Sequence, residues 1–193
     1  MEKNKMNNVY LLFESAIKNI PESSIIGKKT HDNCVDYLQL LTNLASYLYI
    51  ETPGLFNQKM EVKCSFEKGK WEQFSYILLT PSKSNKNDGS FYIPVIFDFE
   101  KQHISISLTY MEHKPDSTDI SEIRSYAETH SFPNGIAKIS EYCTNPIKAN
   151  IPEKGIFASQ IYSKDRFLDE SSFYAYLKDI ADLCNMSGNK NEN

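Results

Sequence analysis

Apolar positions along the chain change their period twice. NNVYLLFESAIKNI (residues 7–20) carries them at helical spacing, and Pro21 closes the run. DNCVDYLQLLTNLASYLYI (32–50) predicts a second helix, with Asp32 or Asn33 able to cap its start. Its stripe is Val35, Leu38, Leu41, Leu44, Ala45 and Leu48, and Pro53-Gly54 is expected to stop it. The period then drops to two. KMEVKCSF (59–66), EQFSYILL (72–79), SFYIPVIFDF (90–99) and HISISLTY (103–110) predict four strands in an antiparallel meander. TPSKSNKNDG (80–89) is a turn-rich loop, and EKQ is a short connection. Pro94 predicts an edge or a bulge in the third strand.

Beyond the meander, a helix is expected over 119–129, where Asp119 and Glu122 form a capping pair. A loop-rich stretch follows over 131–154, with a short helix about Ile136–Tyr142. GIFASQIY (155–162) reads as a fifth strand and SSFYAYLKDIADLC (171–184) as a closing amphipathic helix. The expected fold is α+β: a mainly antiparallel mixed sheet of about five strands, packed by N-terminal, middle and C-terminal helices. One domain is expected over 1–186: helical to 55, a strand meander over 58–110, and a mixed part with the closing helix over 111–186. Residues 187–193 form a polar tail or linker.

Composition agrees with a folded chain: 193 residues, 40% hydrophobic and 12% aromatic, with twelve Tyr, eleven Phe and one Trp. The net charge of −4 does not announce nucleic acid, but its distribution is uneven. Residues 57–86 hold Lys59, Lys63, Lys68, Lys70, Lys83 and Lys86 against Glu61, Glu67 and Glu72, a local positive excess. Arg124 and Arg166 are the only arginines, so bidentate Arg-to-guanine readout has few candidates. The scattered Cys34, Cys64, Cys143 and Cys184 form no CxxC pair. They read as reduced thiols of a cytoplasmic protein, and no long apolar run suggests a membrane.

Catalytic and metal motifs do not assemble. GKKT at 27–30 lacks the earlier glycine of a phosphate loop, since residue 22 is Glu. His31, His103, His113 and His130 show no metal-ligand spacing, and there is no GxSxG. Glu61-Val62-Lys63 has the E-x-K spacing of many nucleases but no convincing acidic partner upstream. No cofactor, no metal and no catalytic residue is expected, and a binding module is favoured over an enzyme.

SFEKGKWEQFSYILL resembles the signature of the N-terminal DNA-recognition domain of the McrB family, the specificity part of modification-dependent (type IV) restriction systems. The family pattern is Ser-x-Gly-x-Gly-x-aromatic, two polar residues, an apolar residue, Pro-Trp and a strand. Ser65, Gly69, Trp71 and Phe74 match; Glu67 stands for the first Gly, Ser75 for the Pro and Tyr76 for the Trp. DGSFYIPVIFDF, KQHISISL, EKGIFASQIYS and FYAYLKDIADL are similar to later family segments, in order, over roughly residues 60–184.

The resemblance implies binding of duplex DNA that carries a modified cytosine, with the base swung into an aromatic pocket. Glu67, Lys68, Gly69 and Lys70 would form the finger that meets the DNA, with Ser65, Lys68, Gly69 and Lys70 as DNA-binding residues; glycine permits close backbone approach. Tyr76 and Phe97 would be pocket walls, with Trp71 as a further stacking or anchoring ring. Lys83 and Lys86 would touch the backbone from the next loop. In the family an AAA+ GTPase motor follows this domain and a separate nuclease subunit cuts, so catalysis would lie elsewhere. The alternatives are a protein-interaction domain that docks a partner subunit of a defence complex and, with less support, a metal-dependent nuclease centred on Glu61 and Lys63.

Overall fold

The computed structural model describes residues 3–22, 32–56, 59–65, 74–81, 90–111, 156–167 and 169–188. Among the described residues, three helices, α1 (Lys3–Lys18), α2 (Asp32–Leu55) and α3 (Glu170–Gly188), accompany five strands. The strands are β1 (Met60–Cys64), β2 (Phe74–Pro81), β3 (Ser90–Asp98), β4 (His103–Met111) and β5 (Ile156–Ser163). They form one sheet in the order β1-β2-β3-β4-β5, with every neighbouring pair antiparallel. The α+β arrangement thus follows the change of period in the sequence. The helices expected over 119–129 and 136–142 lie outside the described residues.

Strand alternation sorts the side chains onto two faces. Ile77 and Leu79 of β2, Ile93, Val95 and Phe97 of β3, Ile104, Ile106 and Leu108 of β4, and Tyr162 of β5 share one buried face. That face packs against α1, α2 and α3. Phe13, Leu48 and Ile180, one from each helix, surround a small apolar gap over Leu79, Val95 and Ile106. Phe173 sits at the centre of an aromatic cluster joining α1, α3 and β5, with ring centroids 5.1 Å from Phe13, 5.7 Å from Tyr10 and 6.0 Å from Tyr162.

Side-chain hydrogen bonds fasten the layers. The Tyr37 hydroxyl donates to the Ala16 carbonyl at 3.0 Å, binding α2 to α1. The Tyr176 hydroxyl donates to the Ile106 carbonyl at 2.8 Å, binding α3 to the sheet. Asp169 caps α3: its carboxylate accepts the Ser172 amide at 3.0 Å and the Ser172 hydroxyl at 2.9 Å, and these bonds lower its pKa. Tyr37→Phe removes the donor to Ala16 and is expected to cost about 1 kcal/mol. The reading is a lower urea midpoint at unchanged slope.

Three details differ from the sequence expectation. Val35 is not in the core stripe: it is 53% exposed, while Cys34 and Tyr37 take the buried positions of the first turns. The series 34, 37, 41, 44, 45, 48 keeps the helical i, i+3, i+4 spacing, and Val35 lies about 100° round from Cys34. α2 also does not stop before Pro53 but runs through it to Leu55. A proline in the last turn gives up only one amide donor, and the helix ends before more are needed.

Pro94 marks neither an edge nor a bulge, since β3 is the central strand. Pairing with β4 skips Ile93 and Pro94 and resumes in the same register, Tyr92 opposite Thr109 and Val95 opposite Ile106. Continuous pairing on the β2 side carries the strand past the missing donor. The sheet's irregularity lies instead between Leu108 and Thr109, where β4 meets β5. The β3–β4 turn contains Gln102 at a positive φ of 55°. Its side chain offsets that strain by donating to the carbonyls of Phe99 and Pro21, both at 2.7 Å. No described helix is long and apolar enough to cross a membrane.

Candidate nucleic-acid interface

The stem of the β1–β2 hairpin ends at Ser65 and Tyr76. The Ser65 amide donates to the Tyr76 carbonyl at 3.0 Å, and the Ser65 hydroxyl accepts the Tyr76 amide at 2.8 Å. A side chain therefore replaces one backbone acceptor in the last rung, which suits a short polar residue at a turn mouth. Ser65 thereby anchors the entry to the 66–73 segment. Lys68, Gly69, Lys70 and Trp71 belong to that segment and lie outside the described residues. Ser65→Ala deletes the acceptor and is expected to cost about 1 kcal/mol. Faster amide hydrogen exchange at Tyr76, with little change at the far end of β2, would mark the effect as local.

Tyr76 and Phe97 do not form opposite walls of one pocket. Tyr76 pairs with Ile96, while Phe97 pairs with Ser75. Directly opposed residues share a face, so Tyr76 and Phe97 lie on different faces of the sheet. Phe97 is fully buried on the helix-packed face and is a core residue. The Ser75 hydroxyl beside it is buried with no hydrogen-bond partner among the described residues. Tyr76 is half-buried on the opposite face.

That opposite face has a distinct character at the hairpin end. Tyr76, Ile96, Ser105 and Ile161 form one cross-strand row, and all four are half-buried. The next row is Phe74, Asp98, His103 and Ser163. One Asp98 carboxylate oxygen accepts the Lys101 amide at 2.9 Å. The other lies 3.7 Å from His103 Nε2 and 3.9 Å from Lys101 Nζ. Burial lowers the His103 pKa, the Asp98 charge opposes that shift, and the Lys101 charge adds to it. Further along the face, Tyr92, Ser107 and Thr109 are buried, and burial raises the Tyr92 pKa.

The two lysine-bearing segments have roots at opposite ends of the sheet. Residues 65 and 74 border the first; Pro81 and Ser90 border the second, which contains Lys83 and Lys86. β2 lies between them with eight residues, a length of about 25 Å. Lys83 and Lys86 lie outside the described residues. Glu61 and Lys63 form an exposed ion pair at 3.6 Å on edge strand β1. Among the described residues no group of three His, Cys, Asp or Glu side chains comes together to hold a metal ion.

Asp98 and His103 are the polar neighbours of the Tyr76 row that sequence reasoning did not single out. The EKQ connection alone would set Phe99 opposite His103; the strand instead ends at Asp98, and the four-residue turn 99–102 pairs Asp98 with His103. Comparison with known protein families, curated proteins and solved structures finds no match to this chain.

Proposed function

We propose that this chain is a DNA-binding specificity module of a modification-dependent restriction system, reading a modified cytosine flipped out of duplex DNA. The observation that carries the reading is a coincidence of place. The end of the sheet that bears the Lys68-Gly69-Lys70 segment also bears half-buried Tyr76, on the face turned away from the described helices. A flipped base needs a ring to stack on and a nearby cationic element to hold the strand it left. The ordered likeness to McrB-family segments supports the same reading. Motor and nuclease functions would then belong to other domains or subunits.

The test is binding of the chain to short duplexes that differ at one cytosine: unmodified, 5-methyl, 5-hydroxymethyl and glucosylated. Each is measured at two salt concentrations. Preference for one modified duplex, weakened by salt, supports the reading. Equal affinity for all four removes the modified-base part. No binding to any duplex at low salt overturns DNA recognition and favours docking of a partner subunit.

A further inference from the structure

We infer that the outward face of α2 is a docking surface for α2 of a second copy of this chain, in an antiparallel two-fold pairing. The inference does not rest on the DNA-binding reading. α2 lies on the helix-covered face of the sheet, so the pairing leaves the Tyr76 face open.

The surface stands out by what it lacks. Charged residues make up 24% of the chain, yet residues 37–50 contain no Asp, Glu, Lys, Arg or His. A helix packed on a core by one face ordinarily carries its charges on the other. Here the outward face has apolar and aromatic side chains at its ends instead: Val35 is 53% exposed, Tyr49 48% and Ile50 59%. The polar groups between them have partners within the helix itself. The Thr42 hydroxyl donates to the Leu38 carbonyl at 2.8 Å and the Ser46 hydroxyl to the Thr42 carbonyl at 2.9 Å. The Gln39 side-chain amide donates to Asn43 Oδ1 at 3.0 Å. Donors already turned back onto their own helix lose little when water leaves the surface, so this face costs little to desolvate.

The spacing of the exposed positions selects the occupant. They fall at 35, 36, 39, 42, 43, 46, 49 and 50, a series symmetric about the midpoint of 42 and 43. A two-fold axis at that midpoint sets Val35 level with Ile50 of the second copy, Gln39 with Ser46, and Asp36 with Tyr49. Every exposed position then meets another exposed position, as a self-complementary interface requires. The single charge, Asp36, meets a tyrosine and not its own copy, so no like charges are opposed. Residues 35–50 span about 22 Å of helix. A contact of that length lies at the low end of specific interfaces, below about 1,200 Å2, so monomer and dimer should exchange at micromolar concentration.

Sedimentation equilibrium of the whole chain, from low to high micromolar concentration, reads the association. The mean mass should rise from 22.2 kDa toward twice that value. Ser46→Lys, at the centre of the stripe, should weaken the dimer at least about tenfold. An added lysine moves the net charge of −4 toward zero, which by itself favours association, so a loss would be local in origin. Lysine is also a good helix former and position 46 is exposed, so folding should be kept; circular dichroism checks this. On mild oxidation, Gln39→Cys mixed with Ser46→Cys should form a cross-linked dimer. Either variant alone should link no more than wild type, because like positions lie about 10 Å apart along the antiparallel helices, beyond disulfide reach.

A wild-type chain that stays monomeric throughout overturns the inference. A dimer that Ser46→Lys leaves intact also overturns it, since that dimer uses another surface. Self-linking by either cysteine variant overturns the antiparallel pairing. If Ser46→Lys fails to fold, the cross-linking pattern decides alone. Binding of DNA, or its absence, bears on none of these outcomes.

Discussion

Phe173→Ala is expected to be the most destabilising single substitution considered, at about 3–5 kcal/mol. Phe173 is fully buried, and its ring is the hub of the aromatic cluster. Besides Phe13, Tyr10 and Tyr162, it meets Tyr174 at 5.4 Å and Phe167 at 6.3 Å. Truncation leaves a ring-sized void among partners contributed by α1, β5 and α3 itself. Those partners are fastened elsewhere: Tyr162 lies in the sheet, and the Tyr10 amide donates to the Tyr174 hydroxyl at 3.2 Å. Collapse into the void is therefore restricted. A domain of this size typically has about 5–15 kcal/mol in total, so the loss is a large share of it. Urea unfolding followed by circular dichroism gives the number. Phe173→Leu, which retains much of the apolar volume, should cost less than half as much. A loss below about 1.5 kcal/mol for the alanine variant would show that the cluster repacks and that Phe173 does not join the layers.

Tyr76→Ala carries the largest expected effect on binding. If a flipped base stacks on this ring, its removal should weaken the preferred duplex by about 1–3 kcal/mol, roughly 5- to 150-fold. The half-buried ring contributes less to the core than Phe173 does, and its main-chain bonds to Ser65 survive the substitution. Unfolding midpoints should accordingly move little while affinity falls. Tyr76→Phe and Tyr76→Trp separate stacking from the hydroxyl, and both should retain most of the affinity. Equal binding by Tyr76→Ala and wild type would remove the base from this face. Parallel loss with an abasic duplex would instead assign Tyr76 to the sugar-phosphate backbone.

Element type was legible wherever burial imposed a period. β2 to β5 each bury one face against helices, so Ile77, Leu79, Val95, Ile104 and Ile106 recur at every second position and can be read without a structure. Helix phase was less legible at an end. Val35 looked like a stripe residue because Cys34 and Tyr37 are not obvious hydrophobes, yet they bury better at the same turn. Proline was misleading in both places. Pro53 and Pro94 each remove one donor, and the surrounding helix or sheet supplies enough bonds to continue.

The candidate site was legible residue by residue and not as a constellation. Alternation says that Tyr76 and Ser75 point to opposite faces; it does not say which face the helices cover or which residue of β3 stands opposite. Register decides that, and it sends Phe97 into the core while bringing Ile96 to Tyr76. The same pairing puts Asp98 and His103 beside the root of the Lys68-Lys70 segment and puts the root of the Lys83-Lys86 segment at the far end of β2. The sequence by itself determined the fold class, the order of the elements and the residues able to stack or to carry charge. Those are set by local period and by chemistry carried within each side chain. Which of them share a face and an end was decided only in the tertiary structure, because cross-strand register depends on contacts between segments distant in the chain.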